Sequence, residues 1–194
     1  MRYGVYLPTQ GAFADVRGLA GLARTAEDAG WDGVFLWDAM LSIADEIDPD
    51  LRRGLGGRDG LETADTLIAL TAIAAATRRI WFGALVIPLP RLRPEVFAQQ
   101  TATLDHYSEG RLIVGVGLGN PDRQFRAFGY PVDPTVRAAV LDEFLDLVAL
   151  LWTGERVTFR GTYCQAVDVS LAPGCLQRPR IPSGSAPTAV AERP

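Results

Sequence analysis

Two strand-length runs with almost no polar interruption constrain this chain most. Ile80–Pro88 reads IWFGALVIP and Leu112–Gly117 reads LIVGVG. A strand with one face in water alternates apolar and polar residues, whereas a continuous apolar run of this length belongs to a strand covered on both faces. Helical patterns follow each run. Pro94–Tyr107 comes after the first, and roughly Pro134–Trp152 after the second, with Val140, Phe144, Leu147, Val148 and Leu151 on its inner face.

The same order holds upstream. Tyr3–Leu7 reads as a buried strand, and Asp15 caps a helix carrying Val16, Leu19, Ala20, Leu22, Ala23 and Ala26, which stops at Gly30. Gly33–Trp37 is a second strand with Asp38 at its C-terminal end, and Thr63–Thr77 is a further helix. Ser42–Glu62, with Asp48-Pro49, Gly54, Gly56-Gly57 and Gly60, reads as a long polar loop. Val157–Arg160 and Tyr163–Val167 flank Gly161-Thr162, a two-residue hairpin signal. Strand and helix in alternation predict an α/β fold with a parallel sheet of right-handed βαβ units. Only four convincing units fit, whereas a (β/α)8 barrel takes about 250 residues. Arithmetic alone therefore favours an open sheet or part of a barrel.

Composition removes several chemistries. All 19 basic residues are arginine, so no Walker A lysine or Schiff-base lysine exists. Cys164 and Cys175 have no metal-ligand spacing and His106 is the one histidine, so no zinc or His-rich metal centre can be assembled. The net charge of −4 argues against nucleic acid as a partner. The N-terminal residues do not read as a signal peptide, and Thr66–Thr77 is too short to span a bilayer, which predicts a cytoplasmic protein with no membrane partner.

The run Ile80–Pro94 (IWFGALVIPLPRLRP) resembles the third-strand segment of the luciferase-like flavin-dependent monooxygenases. The resemblance continues through Thr101–Arg111 (TATLDHYSEGR) and Leu112–Gly119 (LIVGVGLG). Gly4–Pro8 (GVYLP), Ala26–Trp31 (AEDAGW) and Leu70–Thr77 (LTAIAAAT) match in the same order. Together these landmarks cover residues 1–182. The resemblance implies a TIM barrel, (β/α)8, of the bacterial luciferase type, of which the first four or so βα units are present. It implies FMN or the deazaflavin coenzyme F-420 at the C-terminal strand ends, and an oxidoreductase or monooxygenase acting on a small organic substrate. A homodimer and a separate flavin reductase are the implied protein partners.

Site residues follow from the same resemblance. Asp38 stands at a strand end where barrel chemistry gathers, with an N-cap or a solvated loop acid as its ordinary alternative. Ala84, Leu85 and Val86 fall where the family carries a bulge, with a non-prolyl cis peptide, behind the flavin ring. Gly117, Gly119 and Asn120 follow the Gly-rich strand and read as cofactor contacts, although crowding at the strand ends explains glycines as well. Deazaflavin members often carry Asp-His where this chain has Asp38-Ala39. Some sugar-oxidising members are acidic where it has Asn120. Both departures argue against a sugar dehydrogenase. Arg91 and Arg93 suit a phosphate or polyglutamate tail, with a solvated loop slightly favoured. His106 reads as structural or exposed, Asp105 and Arg111 as local caps, and both cysteines as inert thiols.

After Pro182 the family continues into a strand reading Ile-Trp-Val-Gly, whereas this chain reads Ser183-Gly-Ser-Ala186. One inserted nucleotide converts TCT-GGG-TCG-GCN into ATC-TGG-GTC-GGC, so residues 183–194 are expected to be a non-family tail, either frameshifted or naturally divergent. Two other readings stand beside the enzyme. One is a non-catalytic remnant that dimerises or needs a second half. The other is an open-sheet nucleotide-binding protein, for which the first βα loop lacks a glycine fingerprint.

Overall fold

The computed structural model describes residues 1–41, 62–120 and 122–185. The expected loop at Ser42–Glu62 lies outside them apart from Glu62, whose carbonyl accepts the Gly11 N–H at 2.9 Å. The chain divides into two compact units, 1–86 and 87–194.

In the first unit, β1 (Gly4–Leu7), β2 (Gly33–Leu36) and β3 (Trp81–Pro88, which runs on into the second unit) are joined by parallel pairing. The register sets Tyr6 beside Phe35 and Phe35 beside Gly83, and pairing of β2 with β3 ends at Leu36 and Ala84. Two helices pack together in this unit, α1 (Val16–Asp28) and α2 (Thr66–Ala76). Asp15 caps α1 by accepting the Arg17 N–H at 3.0 Å, as its position predicts. Asp65 caps α2 by accepting the Ile68 N–H at 2.9 Å. That cap starts α2 three residues later than its apolar pattern suggests, and Thr63 instead bridges to Gln10.

The unit's core comprises Val34, Leu36, Phe82 and Ala84 from the strands with Leu19, Ala23, Leu70 and Ile73 from the helices. Alternate strand residues face the other way, and Phe35, Trp81 and Leu85 are only half-buried there. This corrects the expectation for β1. Tyr3 and Tyr6 are exposed, because they lie outside the helix-packed core that a short apolar run suggested.

One carboxylate ties α1 to the start of β3. Glu27, 7% exposed, accepts the N–H groups of Arg78, Arg79 and Ile80 at 3.0, 2.6 and 2.8 Å. Desolvation pushes its pKa up, but the N–H groups of Arg79, Ile80 and Arg78 and the Arg79 charge outweigh that and hold it below its ordinary value.

The second unit holds α3 (Pro94–Tyr107), β4 (Leu112–Gly117), α4 (Asp122–Ala127) and α5 (Pro134–Leu151). α3 and β4 have the bounds read from sequence. Phe97 meets Phe144 edge to face, with ring centroids 5.6 Å apart, and Trp152 Nε1 donates to Thr101 Oγ1 at 3.0 Å. The buried stripe of α5 is Phe144, Leu147, Val148 and Leu151. Val140 is only half-buried, while Arg137 is buried.

Strands β5 (Val157–Arg160) and β6 (Gln165–Val169) pair antiparallel with Arg160 opposite Gln165. The connection is therefore four residues, not two. The reason is Glu143 of α5, whose carboxylate accepts the N–H groups of Thr162, Tyr163 and Cys164 at 2.8, 2.7 and 3.0 Å. Ser183–Ser185 forms β7, parallel to β4 with Val114 opposite Ser183. No helix among the described residues is long and apolar enough to cross a membrane.

Candidate active site

Parallel strands place their C-terminal ends together, and side chains just beyond those ends are free of the sheet's own packing demands. In the first unit that edge carries Tyr6, Trp37, Asp38 and the segment Ala84–Val86.

Asp38 is held from α2. Thr66 Oγ1, itself buried, lies 3.0 Å from Asp38 Oδ1 and 3.0 Å from the Trp37 carbonyl, so its one hydroxyl hydrogen is shared between them. Asp38 does not cap α2, whose cap is Asp65. Ala39 next to it is 4% exposed.

Ala84 is buried against the helix side, while Leu85 and Val86 are half-buried. The Leu85–Val86 peptide bond is cis, as the resemblance implies. The Tyr6 hydroxyl donates to the Leu85 carbonyl, and the Tyr6 ring stands 5.8 Å from the Trp37 ring at a 45° tilt. Burial pushes the Tyr6 phenol above its ordinary pKa, so it stays protonated and able to donate at neutral pH. Structure therefore brings Asp38, Leu85 and Val86 into one neighbourhood through two residues the sequence did not single out, Tyr6 and Trp37. A third is Gln10, fully buried, whose Nε2 donates to the Leu41 carbonyl at 3.3 Å. Gln10 Oε1 and Trp37 Nε1 are buried without a hydrogen-bond partner among the described residues. The one signal available for Tyr6 was its phase, since it lies on the same face as Gly4 in β1.

Gly117, Gly119 and Asn120 belong to the second unit, at the end of β4. Asn120 is exposed and the two glycines are half-buried. Gly119 has φ +86°, and a Cβ there would lie 2.6 Å from the Phe125 ring and 2.8 Å from Pro88 Cβ. Crowding by Phe125 is enough to require this glycine. Phe125 comes from α4, an element absent from the sequence reading because six polar-rich residues carry little periodic signal. Its ring lies 4.6 Å below the Arg137 guanidinium, which pairs with Asp122 at 2.8 Å.

The two loop arginines part company. Arg93 is exposed and pairs with Glu95 at 3.0 Å, in keeping with a solvated loop. Arg91 is 7% exposed, and its Nη1 donates to Gln124 Oε1 at 3.2 Å. The solvated-loop expectation fails for Arg91, because α4 supplies a buried acceptor. His106 is exposed and its Nε2 donates to the Gly174 carbonyl at 2.8 Å, a structural contact. Asp105 is no local cap. Its Oδ2 accepts the Leu176 and Gln177 N–H groups at 2.7 and 3.0 Å, some 70 residues along the chain. Arg111 Nε donates to the Ser108 carbonyl at 2.8 Å, which is local. Both cysteines are free thiols, and burial raises both above the ordinary thiol pKa.

Comparison with known proteins bears on this arrangement. Residues 1–192 match the family model described as luciferase-like monooxygenase. The chain is 37% identical over 147 residues to the F420-dependent glucose-6-phosphate dehydrogenase of Nakamurella multipartita, covering 75% of this chain and 39% of that protein. It is 34% identical over 109 residues to the FMNH(2)-dependent dimethylsulfone monooxygenase of Pseudomonas putida, covering 56% of this chain and 30% of that protein. The chain therefore spans less than half the length of these curated relatives. Among solved structures, monooxygenase RslO1 from Streptomyces bottropensis superposes with a TM-score of 0.75 at 28% identity, covering 95% of this chain and 53% of the other. The α/β fold with parallel strands is that of the luciferase-like barrels, and roughly half of such a barrel is present. On the sequence match, the fold and the ordered strand ends together, this chain belongs to the luciferase-like monooxygenase family.

Proposed function

We propose that the chain is the N-terminal portion of a flavin- or deazaflavin-dependent oxidoreductase that acts on a small organic molecule. The observation that carries this reading is the strand-end cluster of the first unit, where Asp38 is held by Thr66 beside the half-buried Leu85–Val86 segment.

The residues present fit a flat, mostly apolar ring with polar edges. Leu85 and Val86 offer aliphatic surface, Tyr6 and Trp37 offer aromatic surface, and Trp37 Nε1 is a buried donor with no partner among the described residues. Such sites combine an apolar lining with a few placed polar groups. Bound in reduced form, the cofactor supplies hydride, and in the FMN case it also activates oxygen. The protein's part is to bind, orient and exclude water. Leu85 and Val86 would hold such a ring by their aliphatic surface, and Tyr6 and Trp37 would help exclude water from it. Asp38 is the group that can hold or release a proton, with Thr66 fixing its orientation at Oδ1. For Gly117, Gly119 and Asn120 a cofactor contact rests on the family resemblance.

Relatives named for both FMNH(2) and F420 leave two cofactor classes. The several curated relatives named F420-dependent glucose-6-phosphate dehydrogenase, at 32–37% identity, favour the deazaflavin. Asp38-Ala39 and Asn120 depart from the sugar-oxidising pattern, so a hexose phosphate is not the substrate we propose.

A fluorescence titration of the purified chain with FMN and with coenzyme F-420, run beside size-exclusion chromatography, tests the reading. Saturable binding by a monodisperse species is expected and identifies the cofactor. A monodisperse chain that binds neither overturns it.

A further inference from the structure

We infer that Tyr6 is a positioning residue for the cofactor: its phenol fixes the Leu85 carbonyl and so sets the surface that Leu85 and Val86 present to a bound ring. This rests on the cofactor reading above and deepens it.

Three observations converge on Tyr6. Its ring is half in water, at 52% exposure, so it is not there to fill the core. A phenol so placed ordinarily hydrogen-bonds to solvent, yet this one donates to a backbone carbonyl on β3, the far strand of the β1–β2–β3 set. Neighbouring strands lie about 4.8 Å apart, so the side chain must lie across the sheet to reach it. The registered residue on β3 is Gly83, which presents no side chain on that face to block the path.

The acceptor is the second observation. Pairing between β2 and β3 ends at Leu36 and Ala84, so Leu85 is the first residue of β3 beyond the β2 ladder. Beyond that ladder the Leu85 carbonyl accepts a side-chain donor, the Tyr6 phenol, and a hydrogen bond to a carbonyl restrains the peptide plane that carries it. Third, the ring is buttressed by Trp37, 5.8 Å away, and Trp37 adjoins Asp38. One side chain thus links the proton-holding carboxylate's strand end to the segment that faces the ring.

The test compares Tyr6→Phe with Val34→Ala in the full 194-residue chain, using FMN and coenzyme F-420 as probes. Tyr6→Phe keeps the ring and removes one hydrogen bond. About fivefold weaker binding is expected, with a shifted absorption maximum and reduction potential of the bound cofactor. Val34→Ala cuts a fully buried residue of the helix-packed core. It lowers Tm while leaving the dissociation constant within about twofold and the spectrum unmoved. Binding and spectrum unchanged in Tyr6→Phe overturn the positioning role and leave the cofactor reading standing. So does a matching spectral shift in Val34→Ala, which reduces Tyr6 to a structural residue. A wild-type chain that binds neither probe overturns both.

Discussion

The two edges of the first unit's strand set are built to opposite specifications. At the start of β3, Glu27 is buried and takes three backbone N–H groups in one carboxylate, leaving that corner closed and saturated. At the far end of the first unit's strands, Tyr6 is half exposed, Leu85 and Val86 are half-buried, and Trp37 Nε1 and Gln10 Oε1 have no hydrogen-bond partner among the described residues. Buried polar groups without partners are costly, so these two mark the edge where the described residues leave polar groups unsatisfied. In parallel βα architectures the N-terminal strand ends ordinarily serve stability and the C-terminal ends function.

That contrast can be attacked by substitution. The largest loss is expected from Phe82→Ala, which empties a fully buried site near the start of β3 and should cost about 3–5 kcal/mol by chemical denaturation. Glu27→Gln comes next. It removes charge from bonds that need it and faces an amide NH2 toward N–H donors, for about 2 kcal/mol, with cofactor affinity unchanged. Should affinity fall as far as stability does, the two ends are not separate in function. Thr66→Val, nearly isosteric, removes the hydroxyl shared by Asp38 and the Trp37 carbonyl, for about 1 kcal/mol, and should weaken turnover in a complete enzyme more than it weakens folding.

Acid gives the smallest and most graded readout. Glu27 has a pKa below its ordinary value in the folded chain, so the folded state binds this proton less readily than the unfolded one. Its contribution is full above the ordinary glutamate pKa and is lost as pH falls through the lowered folded value. A denaturation series from neutral pH downward should show Glu27→Gln converging on the wild type at the acid end. Parallel curves would mean that the Glu27 charge does not set the difference.

Legibility in the sequence followed the range of the interactions. α3 and β4 are bounded correctly because their signals are local: Pro94 opens the helix, and Leu112–Gly117 is an unbroken apolar run. Asp15 was visible as a cap for the same reason, since its acceptor lies two residues from the donor. Glu27, Asp105 and Glu143 were invisible in these roles. Their partners lie from about 20 to more than 70 residues away, and a carboxylate destined for distant amides looks like any surface acid. Arg91 failed likewise, because its acceptor sits on a helix with too little periodicity to read. Asp38 and Leu85–Val86 entered as site candidates through the family resemblance. Tyr6 was hidden because a strand of apolar residues does not say which face is left open.

The hairpin loop beside α5 has a practical consequence. Glu143 grips residues 162–164 through three amide hydrogens, which every amino acid except proline possesses, and through the Thr162 side chain as well. The loop's conformation is thus written in the helix rather than in the loop. Only Gly161 is fixed by space, since a Cβ there would collide with the Glu143 carboxylate. Tyr163, exposed and held by its amide, is therefore the position to replace for a fluorophore attachment point or a recognition tag, with α5 keeping its grip on the backbone.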